Sequence, residues 1–164
     1  MKMISYDRAA AVAYARAWAL GRNPAYADFS EMGGDCTNFI SQALYAGGCP
    51  MNETRDAGWY YHSLQSRAAA WTSVPFLFHF LTVNRGRGPF AHEAPLEEAA
   101  PGDIIQLKFA GAADYGHSLL VLETGAPPAP ENILIAAHSH DSLDRPLNTY
   151  SYVNARLLRI GVRG

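Results

Sequence analysis

Cys36 and His117 are the two residues whose types and settings fit nucleophilic catalysis. Cys36 stands in the first turn of a helix predicted to run to about Ala46, directly after the sequence GGD at residues 33–35. Unpaired N–H groups and the helix dipole at such a position stabilise a thiolate and can hold the oxyanion formed when it attacks a carbonyl. A buried core cysteine is the alternative interpretation, which the preceding glycine pair and cap residue make less favoured.

Asp35 precedes the thiol and has two opposing effects on it. A nearby negative charge opposes ionisation of a thiol. A carboxylate that caps a helix shares its charge with the helix amides. We therefore expect Asp35 to support Cys36 from the N-cap position.

A catalytic thiol needs a base, and His117 is the best candidate among the six histidines. His117 opens a strand predicted at residues 117–123, which would hold the imidazole on a rigid support. His62, His79 and His92 lie in polar or loop-like stretches and are expected at the surface. A histidine that ends a strand by hydrogen bonding to a loop is the alternative for His117.

A third polar group would orient the imidazole of the base. His138 ends an apolar run predicted as a strand at residues 132–137, and pairing of that strand with residues 117–123 would bring it to His117. His140 and Asp141 are competitors. The sequence HSHD at residues 138–141 also allows a polar turn or a metal cluster, but zinc wants three or four ligands, so we predict neither metal nor cofactor.

The elements that must position these residues follow from periodicity and from turn signals. Helices are predicted at residues 6–20, capped by Ser5 and ended by Gly21, and at residues 75–84, with Pro75 in the first turn. Loops are predicted at 22–34 and 85–101, an irregular segment with a short helix at 50–73, and strands at 103–109, 117–123, 132–137 and 156–161. Helices followed by strands predict an α+β fold, in one domain over residues 1–164.

Composition limits the classes of protein and of partner. Hydrophobic residues make up 49% of the chain and charged residues 17%, which predicts a packed core. The net charge of -2 and the lack of a basic block argue against nucleic acid as a partner. No apolar run approaches the roughly 18 residues of a membrane span, and the N-terminus shows no signal-peptide pattern, so we expect neither a span nor an export signal in this chain.

The cysteines and the aromatic residues of the middle segment each allow two interpretations. A helix between Cys36 and Cys49 would separate their backbones by roughly 15 Å, so we expect two free thiols. The aromatic side chains either line a groove for sugar or peptide or belong to the core, and core is favoured: these are Trp59, Tyr60, Tyr61 and Trp71. Oligomeric state is not indicated.

Four segments in order resemble a known family. The sequence GGDCTNFISQ at residues 33–42 resembles the nucleophile motif of the bacterial putative amidase domain family, which is similar to the NlpC-type and CHAP-type cell-wall peptidases. APGDII at 100–105, GHSLLV at 116–121 and IAAHS at 135–139 resemble the family's later strands. The resemblance covers about residues 5–160.

The resemblance implies a papain-like fold, with N-terminal helices packed on a C-terminal antiparallel sheet, and amide hydrolysis through an acyl-enzyme. It implies Cys36 as nucleophile, His117 as base and acid, and His138 as the orienting residue, with Asp141 as the alternative. Tyr26 is the candidate for an oxyanion donor. The expected substrate is a peptide or amide, with a cell-wall peptide as one candidate. Acyl transfer by the same pair and an inactive binding module are the rival functions.

Overall fold

A seven-stranded antiparallel sheet and four helices make up the computed structural model, which describes residues 2–164. The helices are α1 Arg8–Trp18, α2 Cys36–Ala46, α3 Ala69–Thr72 and α4 Val74–Val83. The strands are β1 Met3–Ile4, β2 Tyr61–Ser63, β3 Ser66–Arg67, β4 Gly88–Ala94, β5 Ile104–Phe109, β6 His117–Glu123, β7 Leu134–Ala137, β8 Ser142–Pro146 and β9 Tyr152–Arg163. This confirms the α+β class.

The order of strands in the main sheet is β1-β9-β5-β6-β7-β8, with β4 also paired to β9, while β2 and β3 form a separate hairpin. The strands β5, β6 and β7 are consecutive neighbours, as short antiparallel connections favour. In the register, His117 pairs with Leu107 and Leu120 with Ala136. The strand that begins with the candidate base therefore lies in the middle of the sheet.

The sheet is covered on both faces. Alternate residues of the central strands contribute to two apolar clusters, with Leu120 and Ala136 facing the helices and Leu119 and Val121 facing the opposite side. Gln106 of β5 is a polar residue that is fully buried, and it donates a hydrogen bond to the Val74 carbonyl of α4. The second face is closed by the segments around β8 and the start of β9.

Helix α1 begins two residues later than predicted and has a different cap. The Asp7 carboxylate, rather than the Ser5 hydroxyl, accepts a hydrogen bond from the Ala10 amide at 2.9 Å. Helix α4 has its proline in the first turn, where a missing N–H costs nothing. The predicted loop at residues 85–101 is wrong over Gly88–Ala94, because that segment pairs along its whole length with β9.

Helix α2 is the most buried helix and carries Cys36 at its N-terminus. The residues of its predicted apolar face, Phe39, Ile40, Ala43 and Leu44, are fully buried, and its polar residues from Thr37 to Gln42 are buried as well. The Asn38 side chain donates to the Ala27 carbonyl and accepts from the Trp71 indole, at 2.9 and 3.0 Å. Polar groups buried this deeply must be hydrogen bonded, so they fix the helix in one orientation.

Three of the four aromatic residues named in the middle segment belong to the core, as predicted, whereas Tyr60 is only partly buried and stacks on His62. Trp59 and Trp71 are fully buried with ring centroids 4.6 Å apart, and Tyr61 is 8% exposed. The Trp59 indole donates to the Ser41 hydroxyl of α2 at 3.0 Å. This cluster holds the side of α2 that faces away from the sheet. Both cysteines are free, as expected.

Candidate active site

Cys36 and His117 line one cavity of about 540 Å³. Cys36 comes from the first turn of α2 and His117 from the first residue of β6. The rest of the wall comes from the loop before α2, the ends of β5 and β6, the turn after β7, and the segment from β8 to β9: Gly33, Gly34, Phe109, Gly116, Ser139, His140, Arg145 and Tyr150. The structure thus brings the predicted nucleophile and base to the same cavity.

A hydrogen bond between their neighbours joins the two elements that carry these residues. The Thr37 and Ser118 hydroxyls, each one position after Cys36 or His117, lie 3.0 Å apart and are fully buried. The Ser118 hydroxyl also accepts from the Gln106 amide at 3.2 Å. Because buried hydroxyls keep their partners, this link fixes the start of α2 against the start of β6.

The glycine pair before Cys36 gives the chain its turn and leaves room over the thiol. Gly33 and Gly34 have φ values of 98° and 109°, a backbone region in which side chains are strained. A Cβ at Gly33 would meet no atom within 4 Å, and one at Gly34 only the Ser139 hydroxyl at 3.9 Å. The glycines are therefore required by backbone conformation, and the space beside them is open.

Cys36 is half-buried, and burial raises the pKa of its thiol above the ordinary value. Hydrogen bonds from the neighbouring residues Ser118 and Thr37 oppose this rise, and the charge of Asp35 adds slightly to it. The Cys36 sulfur lies 3.8 Å from the Thr37 hydroxyl. Burial therefore favours the neutral thiol over the thiolate.

His117 has a strongly perturbed titration. Burial lowers the pKa of its imidazole to about 4, and the positive charges of Arg145 and His140 add to that effect. Its ring lies against Tyr150 and Phe109, with centroids 5.6 and 6.5 Å away. At neutral pH the imidazole is therefore uncharged and free to accept a proton.

His138 does not occupy the orienting position predicted for it. Its Nδ1 lies 2.6 Å from the Asp35 carboxylate, and its Nε2 lies 2.8 Å from the Trp18 carbonyl and 3.1 Å from the Arg22 guanidinium. Its ring stacks on Phe39 at 4.0 Å. Both ring nitrogens are thus occupied by groups other than His117. The physical reason is that successive side chains along a strand point to opposite faces of the sheet. His138 therefore points to a different face from His117.

Asp35 lies directly before Cys36 as predicted, but its carboxylate does not cap α2. One oxygen accepts from the Phe29 amide at 2.8 Å and the Asn38 side chain at 2.9 Å, and the other contacts His138. The charge of Asp35 is therefore balanced on the side away from the thiol. Helix α2 therefore has no side-chain cap at its N-terminus, the end of a helix at which N–H groups stabilise negative charge.

Tyr26 and Asp141 lie outside the cavity wall. Tyr26 packs against Tyr61 and Trp71, with centroids 5.1 and 6.1 Å away. Both Asp141 oxygens accept from the Arg22 guanidinium at 3.0 Å. Neither side chain touches His117, so within residues 2–164 the imidazole is oriented by packing and by its backbone rather than by a third hydrogen-bonding side chain.

Sequence reasoning missed part of the cavity wall, namely Phe109, Arg145 and Tyr150. The position of Phe109 could have been expected from the sequence, because this residue ends the strand that pairs with the start of β6. Arg145 lies on β8, whose sequence SLDRP lacks strand periodicity, and Tyr150 follows a short turn. Over residues 2–164 no group of three or more His, Cys, Asp or Glu side chains is arranged to hold a metal ion.

Comparisons with known proteins support the putative amidase domain family that the motifs resemble. A family model described as a putative amidase domain matches residues 5–160. The uncharacterized protein YhbB of Bacillus subtilis (strain 168) is 34% identical over 143 residues, which cover 86% of this chain. The same residues cover 44% of YhbB, so the chain spans less than half the length of that relative. No solved structure matches. Residues 2–164 contain no helix long and apolar enough to cross a bilayer.

Proposed function

Because the chain belongs to the putative amidase domain family, and so at a coarse level to the hydrolases that act on amides, we propose that it cleaves its substrate through a thioester on Cys36, with His117 as general base and acid. One observation carries this proposal: a thiol in the first turn of a buried helix and an uncharged imidazole line the same cavity. These are the groups that acyl transfer to a thiol requires.

The pKa directions favour a neutral pair over a preformed thiolate and imidazolium. Burial raises the pKa of the Cys36 thiol and lowers that of the His117 imidazole to about 4. In the first step the imidazole takes the thiol proton as sulfur bonds to the amide carbon, and the carbonyl oxygen becomes an oxyanion. The uncapped N–H groups in the first turn of α2 stabilise that charge.

The second half of the reaction uses the same imidazole in the reverse sense. The imidazolium gives its proton to the amide nitrogen and the C–N bond breaks. The amine leaves, while the acyl group stays on the Cys36 sulfur as a thioester. Water then gives a proton to His117 as it attacks the thioester, and the acid product and the free thiol are released. The two steps together consume only the amide and one water molecule, and they return Cys36 and His117 to their starting states.

A papain-like architecture is part of the proposal. A buried helix with the nucleophile at its N-terminus packs on an antiparallel sheet whose central strand carries the base, which is the arrangement that the motif resemblance implies. The same resemblance favours peptides of the peptidoglycan type as substrates. A second cavity shares Cys36 and three glycines with the first one, an arrangement that suits an elongated substrate better than a small amide.

The decisive experiment is trapping of the acyl-enzyme. Wild type is mixed with a panel of peptide anilides and peptidoglycan peptides, quenched in acid and analysed by peptide mapping and mass spectrometry. We expect an acyl adduct on Cys36 and turnover that falls at least about a thousandfold in Cys36→Ala. The control is Cys49→Ala, which changes a buried cysteine outside the cavity.

Two results would end the proposal. One is undiminished hydrolysis by Cys36→Ala, since the chemistry would then lie elsewhere. The other is an adduct on Cys49 in place of Cys36. An acyl group diverted from water to an added amine or alcohol would instead show that the thioester forms and that the enzyme is a transferase.

A further inference from the structure

Two cavities meet at Cys36, and only one of them contains His117. The first, of about 540 Å³, is the cavity described above. The second, of about 310 Å³, is lined from the other side by α3, α4 and the hairpin residue Arg67. Both share Gly33, Gly34, Cys36 and Gly116. A chain bound across the thiol therefore places one side of its scissile bond in each cavity.

If the proposed function is correct, the position of His117 decides which cavity binds which side of the scissile bond. The imidazole must protonate the amine that leaves, so the leaving group lies in the cavity that His117 lines. The acyl group then lies in the second cavity. The first cavity consequently selects the amine part of the substrate.

The charge of the first cavity is positive in a chain whose net charge is -2. Arg145 lines it, and no aspartate or glutamate does. Two nearby acids are already paired elsewhere: both Asp144 oxygens accept from Arg16 at 2.9 Å, and Asp141 is bound to Arg22. Within the described chain, no carboxylate forms an ion pair with Arg145.

Arg145 is held in place by neutral groups that leave part of its hydrogen-bonding capacity unused. It donates to the Thr149 hydroxyl at 2.7 Å, the Thr149 carbonyl at 3.2 Å and the Ser142 hydroxyl at 3.5 Å. Its guanidinium lies 3.6 Å from the centre of the Tyr150 ring. A guanidinium has five N–H donors, so two remain without an acceptor in residues 2–164.

We propose that the leaving group of the substrate carries a carboxylate that binds Arg145, so that the enzyme releases amino acids or peptides with a free acid near the cleaved bond. The planar guanidinium pairs with a carboxylate through two parallel hydrogen bonds, and carboxylates are the ordinary anions of peptides. This assigns a substrate class to the cavity and makes Arg145 its specificity-determining residue. Amides whose amine part is neutral in that position are poor substrates.

The contact between Arg145 and a substrate carboxylate also changes the basicity of His117. The positive charge of Arg145 contributes to the low pKa of the His117 imidazole, after burial. A bound carboxylate offsets that charge, so His117 becomes a stronger base when a correct substrate is present. Recognition and proton transfer are thereby coupled through one side chain.

The test uses two alkylating probes and needs no substrate. N-iodoacetylglycine and N-iodoacetylglycinamide both alkylate a thiol, and they differ in a carboxylate on the amine side. The rates at Cys36 are measured by peptide mapping in wild type, Arg145→Gln, Arg145→Lys and Arg55→Gln. Arg55 is exposed and lines neither cavity, so its variant carries the same change of net charge.

We expect wild type to prefer the carboxylate probe, and Arg145→Gln to lose about tenfold of that preference. Arg145→Lys should retain part of it, and Arg55→Gln all of it. The ratio of the two rates stays informative even if Arg145→Gln slows both probes. An unchanged ratio in Arg145→Gln, or an equal loss in Arg55→Gln, would overturn the assignment.

Failure of this inference is distinguishable from failure of the proposed function. Hydrolysis of free-acid and amidated peptides at equal rates would refute the role of Arg145 and leave the cysteine mechanism standing. A carboxylate preference at Cys36 that depends on Arg145, without any thioester formed from amides, would refute the hydrolase and leave the anion site standing.

Discussion

His117 opens β6 and His138 directly follows the neighbouring strand β7, yet the two side chains have different surroundings. His138 is 1% exposed, stacks on Phe39 and has both ring nitrogens engaged by Asp35, Trp18 and Arg22. His117 lines an open cavity, and no hydrogen bond to its ring occurs within residues 2–164. The first is a structural histidine and the second is available to a substrate.

The contrast teaches that unused hydrogen-bonding capacity, rather than a place at a strand end, separates the proposed base from a structural histidine. The link between His138 and Asp35 still serves the site, because it anchors the residue directly before Cys36 to the turn that follows β7. The free ring of His117 is thus the one proposed for proton transfer, while the anchored ring of His138 positions the loop before α2.

Replacement of His117 should have the largest effect on the reaction. In His117→Ala the thiol loses its base, so we expect kcat/KM to fall about a thousandfold, with a melting temperature close to that of wild type. Steady-state kinetics and thermal denaturation measure the two quantities. A variant that unfolds, or that stays fully active, would remove the distinction between the two histidines.

Replacement of His138 should affect stability first. His138→Ala leaves the buried Asp35 carboxylate without one of its charged or polar partners, and we expect the free energy of unfolding to fall by about 3 kcal/mol. Urea denaturation measures it, and His62→Ala is the control because His62 is exposed and should change stability by less than about 0.5 kcal/mol. Wild-type stability of His138→Ala would show that the buried cluster is dispensable.

The acidic limb of the pH profile should lie near pH 4. Burial lowers the pKa of the His117 imidazole from its ordinary value of about 6.5 to about 4. The imidazole therefore stays neutral, and able to act as a base, until the pH falls to about 4. Titration of the His117 ring proton signals by NMR measures the pKa directly, alongside kcat/KM from pH 3.5 to 8. In Arg145→Gln both midpoints should rise. A midpoint near 6.5 in wild type would contradict the burial argument.

Replacement of Asp141 should have the smallest effect. Its carboxylate pairs with Arg22 at the surface, where ion pairs contribute about 0 to 1 kcal/mol, and it does not touch His117. We expect Asp141→Ala to keep kcat/KM within about threefold of wild type and to lose no more than that stability. A hundredfold loss of kcat, with folding intact, would restore Asp141 as the orienting residue.

Local sequence was sufficient for the elements with strong patterns. The glycine pair and the apolar face predicted α2, and alternation or an apolar run predicted β5, β6 and β7. The segments of β4 and β8 have neither signal: GPFAHEA opens with glycine and proline, and SLDRP is mostly polar. They become strands because β9 and β7 supply partners for their backbone groups, a cause that lies outside each segment.

The sequence by itself determined the class of the fold, the helix that presents Cys36 and the strand that presents His117, because these depend on periodicity and on residues within a few positions. Only the tertiary structure decided which polar groups meet. It bound His138 to Asp35 and Asp141 to Arg22, left Tyr26 among the aromatic residues of the core, and brought Arg145 to the cavity. Such contacts join residues up to 120 positions apart, and their choice depends on strand order and on which face each side chain takes.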